Sequence, residues 1–148
     1  MNRDNYVARV QDVLSQHTER AVERLNATLL LLPEKATELD IQIFVDQGVE
    51  GLLTVKVGLN GPDLYVLNKA ISAHRTLFDT VMVETGLEPD LPLMDIDEEA
   101  FSVGDVLTDC GVTWAAKVWE RAEAKACRIP VFITSPDDYG TGLPRRLR

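Results

Sequence analysis

The sequence predicts an α+β fold: a mainly antiparallel sheet of about four strands with two long helices packed on one face. Three observations carry this. Apolar residues recur every three or four positions over residues 4–32 and again over 108–126, the period of a helix with one buried stripe. Between them, residues 41–45 and 55–59 alternate apolar and polar around a stretch of turn formers, the pattern of an antiparallel hairpin covered on one face. The chain has 148 residues and is 45% hydrophobic, which suits one domain over 1–148 with its own core.

The first helix is read over residues 4–32. Tyr6, Val10, Val13, Leu14, His17, Ala21, Leu25, Thr28 and Leu32 lie on one side, and Pro33 stops it because proline has no N–H to donate. Ile41, Ile43 and Val45 form the covered face of the next strand, and Val55, Val57 and Leu59 that of its partner. The other sheet face carries Gln42, Phe44, Thr54 and Lys56, a half-polar surface open to interaction. Residues 46–51 supply the turn. Asp63 is placed as the N-cap of a helix over 64–74. Residues 76–84 are rich in β-branched side chains and suggest a third strand. Residues 84–105, with Pro89 and Pro92, read as a long acidic loop; a loop of that length is usually functional or mobile. A helix over 108–126, a strand over 129–135 and a polar tail over 142–148 complete the order α-β-β-α-β-loop-α-β.

Charge is the second theme. Residues 40–100 hold twelve acids and three bases, so the net charge of −9 resides in the middle of the chain. A pI near 4.6 argues against nucleic acid and anionic membrane surfaces, which need clustered Lys and Arg. It suits a basic protein partner, a cationic ligand or a divalent metal. The N-terminus lacks the apolar core of a secretory signal. The longest uninterrupted aliphatic run, residues 29–32, is too short to span a bilayer. A cytoplasmic location follows as the expectation. Cys110 and Cys127, read on one helix about 25 Å apart, are expected to be free thiols.

Few residues suggest chemistry. Cys110, placed near the start of the second long helix, is a candidate nucleophile with His74 as base; the competing reading is a small buried side chain. Asp95, Asp97, Glu98 and Glu99 resemble a calcium loop, but Ala100 and Val106 stand where that loop needs Gly and Glu. No cofactor or metal is indicated. The candidate partner-binding residues are Glu88, Asp90, Asp95, Asp97, Glu98 and Glu99, with Tyr139 as an exposed anchor or, alternatively, a side chain packed on its own sheet edge.

The segments IFVDQ, GPDLYVLNKAI, LPLMD, DVLTDCG and SPDDYGTG resemble blocks of an uncharacterised bacterial family of actinobacterial type, over residues 43–142. That resemblance implies no activity and no functional residue. In size, acidity and lack of motifs the chain is also similar to bacterial immunity proteins. The leading expectation is a binding protein, most specifically an immunity-type inhibitor of a basic toxin or nuclease. A non-catalytic homodimeric module is the first alternative. A hydrolase or transferase using Cys110 or a carboxylate pair is the second.

Overall fold

A computed structural model describes residues 2–45, 52–92, 101–123, 127–137, 139–140 and 143–148. Helix α1 spans Arg3–Gln16, capped by Asn2, whose side chain accepts the Asn5 N–H at 2.8 Å. Helix α2 spans Thr18–Leu30. The stripe read as one helix is therefore broken at His17. The break has a tertiary cause. Thr18 Oγ1 accepts the Trp114 indole N–H at 3.0 Å, and the His17 ring packs edge-on against Phe78 at 5.3 Å. α1 rests on the last long helix, whereas α2 also reaches the sheet edge; one straight rod cannot follow both surfaces.

Strands β1 (Glu38–Val45) and β2 (Leu53–Asn60) form the expected hairpin, with Ile41 opposite Val57 and Ile43 opposite Val55. The turn over 46–51 lies outside the described residues. Asp63 caps α3 (Leu64–Ala70) through the Val66 N–H, so this helix ends four residues before the expected 74. Strand β3 (Thr76–Asp79) pairs with β2. The expected strand over 76–84 then divides at Thr80 into β4 (Val81–Val83), which pairs with β5 (Gly86–Glu88) in a separate ribbon. Part of the expected loop is thus ordered as strand.

Helix α4 spans Val103–Arg121 rather than 108–126, and Ser102 caps it by accepting the Asp105 N–H at 3.2 Å. Its two glycines are packing sites. A Cβ at Gly111 would come within 3.0 Å of Ile43, and one at Gly104 within 2.6 Å of the Tyr139 ring. Strand β6 (Val131–Thr134) lies parallel to β1, and β7 (Arg145–Arg146) pairs antiparallel with β6. The segment read as a polar tail therefore supplies the sheet's fifth strand. Two charged residues have no alternation to reveal a strand.

The sheet order is β3-β2-β1-β6-β7, antiparallel except at β1–β6. The α+β class stands, with five strands in place of about four. α4 covers β1, β2 and β6, and α1 and α2 close over α4. Leu39, Ile41, Ile43, Val55, Val57 and Ile133 are fully buried beneath it, in one core cluster with Tyr6, Leu25 and Leu107. Among the described residues no helix is long and apolar enough to cross a membrane.

Candidate functional site

Among the described residues the ribbon β4–β5 holds one of two exposed apolar triplets that the core does not explain, the other being Leu64, Tyr65 and Val66 at the start of α3. Thr80 creates the ribbon. Its N–H donates to the Leu53 carbonyl at 3.1 Å. Its hydroxyl accepts the Leu53 N–H at 2.8 Å and faces the same carbonyl at 3.0 Å. These bonds complete the pairing at the start of β2, and the chain then leaves the main sheet. Leu87 and Leu91 anchor the far strand and the segment after it, being 5% and 1% exposed. Val81, Met82 and Val83 are left at 51, 49 and 37% exposure. Three consecutive apolar residues in the open contrast with the usual scattering of single apolar side chains on a surface.

The ribbon carries acids at both ends of its turn strand pair. Glu84 follows β4, and Glu88 lies opposite Val81 in the register. Both are exposed. A cleft of about 350 Å³ at the ribbon's base is lined by His17, Arg20 and Arg24 of the helical layer, by β3 and by Pro89. Arg24 is held there by the carbonyls of Ala73 and Thr76.

The candidate residues fare differently. Glu88 is exposed on the ribbon. Asp90 is not a free charge: Arg9 Nη2 donates to its Oδ2 at 2.7 Å and to its carbonyl at 3.1 Å, so it ties the ribbon's return segment to α1. Asp95, Asp97, Glu98 and Glu99 lie outside the described residues. Tyr139 is half-buried over Gly104. Its segment is pinned on both sides, since Asp137 accepts the Val45 N–H at 3.0 Å and Asp105 accepts the Gly140 N–H at 2.9 Å. Tyr139 thus packs against its own fold instead of standing free as an anchor. The apolar triplet of β4 was overlooked in sequence because residues 76–84 read as one covered strand.

Cys110 is the eighth residue of α4, not a residue of its first turn, and is 7% exposed. Burial, and then the adjacent Asp109 carboxylate, push its thiol up to about 11, so little thiolate forms at neutral pH. Cys127 lies beyond the end of α4; both cysteines are free and buried. Cys110→Ala should change stability by at most about 1–2 kcal/mol, and the folded protein should react slowly with a thiol reagent at pH 7. Fast modification would contradict this burial. Among the described residues no group of three or more His, Cys, Asp or Glu is placed to hold a metal.

No curated protein and no solved structure is detectably similar to the chain. A family model does match it, along residues 1–148, and on that match the chain belongs to a family of unknown function, DUF6389.

Proposed function

We propose that this chain is a protein-binding module that docks a basic protein through the β4–β5 ribbon, and in its most specific form an immunity-type inhibitor of a basic toxin or nuclease. The exposed triplet Val81, Met82 and Val83 carries this reading. It sits in the most acidic part of the chain, where Glu84, Glu88, Asp90, Asp95, Asp97, Glu98 and Glu99 occur within sixteen residues without a base. Among the described residues exposed Glu84 and Glu88 flank the triplet, and an apolar centre with charged neighbours is the anatomy of a recognition surface. The sign of the surround selects a basic partner and speeds its encounter. The homodimer alternative has less support. On the open sheet face the two phenylalanines are each covered by a cation, Lys56 over Phe44 at 4.7 Å and Arg146 over Phe132 at 5.7 Å, which suits a solvated surface.

The two parts of the surface should separate kinetically. With the partner isolated from the native cell and purified, Val81→Ser combined with Val83→Ser should raise the dissociation rate, at a cost of about 2 kcal/mol or more. Neutralising Asp95, Asp97, Glu98 and Glu99 together should slow association and flatten its salt dependence while changing dissociation less. Binding kinetics at two salt concentrations give both answers. An interaction indifferent to both sets of changes would remove the ribbon and the acidic segment from the mechanism.

A further inference from the structure

The open face of the sheet contains a second arrangement, independent of the ribbon. Strand alternation places Leu39, Ile41 and Ile43 under α4 and turns Glu38, Asp40 and Gln42 to the opposite face. Asp40 is nevertheless only 8% exposed. The Asn60 side-chain amide bridges two carboxylates there, donating to Glu38 Oε2 at 2.8 Å and to Asp40 Oδ2 at 2.7 Å. Both amide protons are then in use. Asp40 Oδ1 is buried and accepts no hydrogen bond, and the Asn60 amide holds the Glu38 carboxyl beside it on the same face. One buried acceptor beside a second carboxyl lacks a donor.

The Gln42 amide on the same face lies over Gly58 and makes no hydrogen bond to Asp40 Oδ1. On β2, Gly58 is opposite Asp40, with Lys56 and Asn60 on the diagonals; on β6, Phe132 is opposite, with Thr134 beyond it. Charged groups turned to this part of the face include Glu38, Lys56 and, from β7, Arg146. Both cations stand over aromatic rings.

We infer that Asp40 keeps a proton directed at the Glu38 carboxyl, and that its loss loosens the open end of the β1–β2 hairpin, where Glu38 lies opposite Asn60. The proton provides the missing donor between the carboxyls. When it leaves, two negative charges compete for one amide. Asn60 transmits the change, because its carbonyl accepts the Thr37 N–H at 2.8 Å and its hydroxyl at 3.2 Å, and it leads directly into the turn before α3.

The sign follows from burial. Desolvation first, and then the hydrogen bond with Glu38, raise Asp40 from an ordinary 3.8 to about 6. The folded chain therefore holds the proton more tightly than the unfolded chain. This contribution to stability is fully present below about pH 3.8 and is lost as pH rises through about 6. Acidification from pH 7.5 to 5 should tighten the fold.

The test combines carboxyl-resolved NMR titration, hydrogen exchange and urea unfolding on the full chain, Asp40→Asn and Glu38→Gln. Asp40 should titrate near pH 6. The unfolding equilibrium constant of the wild type should rise at least about tenfold between pH 5 and 7.5, since each unit of pKa difference is a factor of ten. The Thr37 amide, corrected for intrinsic rate, should exchange faster at the higher pH. Asp40→Asn should abolish the dependence, and Glu38→Gln should lower the titration point of Asp40. Relief of general acidic repulsion would instead leave the slope unchanged in both variants, and that result overturns the proposal. So does titration of Asp40 near its ordinary 3.8, or a Thr37 amide whose corrected exchange ignores pH.

Discussion

Ile41→Ala should lower the stability of the chain by about 2–5 kcal/mol, the range for deleting most of a buried aliphatic side chain. Ile41 is fully buried. It lies on the central strand, with Val57 of β2 on one side and Ile133 of β6 on the other. Its side chain is thus enclosed by sheet neighbours laterally and by α4 above. The surrounding backbone is fixed by ladders on both sides, so the cavity cannot close by moving the strand, and the loss should fall in the upper part of that range. Urea unfolding monitored at Trp114 and Trp119 checks it. A loss below about 1 kcal/mol would mean that the layer over β1 relaxes, contrary to this packing.

Thr80→Val has the second largest expected effect, about 1–3 kcal/mol, the cost of stranding a buried polar group. Valine keeps the shape of threonine but removes the hydroxyl that accepts the Leu53 N–H. Leu53 is fully buried, so no water replaces that acceptor. Thr80→Ser, which keeps the hydroxyl, should retain most of the stability. The effect should also be local, because the same residue joins β3 to the exposed ribbon. Hydrogen exchange of the β4 and β5 amides should quicken in Thr80→Val while the central strands stay protected. A greater loss with serine than with valine would assign the effect to packing of the methyl group instead.

The two kinds of prediction draw on different information. Ile41 was legible in the sequence because it belongs to a run that alternates with polar residues, and period-2 alternation has one structural solution when one face is buried. The Asp63 cap was legible for a similar reason: an acid after Gly61-Pro62 and before an apolar run satisfies N–H groups that a helix start leaves open. Thr80 was not legible. Its hydroxyl matters only because Leu53, distant in sequence, presents a buried N–H that β3 does not reach. Asp40 was likewise hidden, since nothing local says that an acid on an open face will be covered, or that Asn60 will bridge it to Glu38.

By itself the sequence determined the α+β class, the β1–β2 hairpin and its covered face, the order of the main elements and the concentration of acid in the middle of the chain. These depend on local period, turn chemistry and composition, and neighbouring residues suffice to express them. Tertiary structure decided the break at His17, the separation of β4–β5 from the main sheet, the fifth strand from Arg145 and Arg146, the pairing of Asp90 with Arg9 and the burial of Asp40 and Cys110. Each arises from a surface or a hydrogen-bonding partner far away in sequence. A stripe of apolar residues specifies that a helix must be covered, but the shape of what covers it decides where that helix bends. A carboxylate's composition specifies its charge, but only its packed neighbours decide whether it is free, paired or protonated.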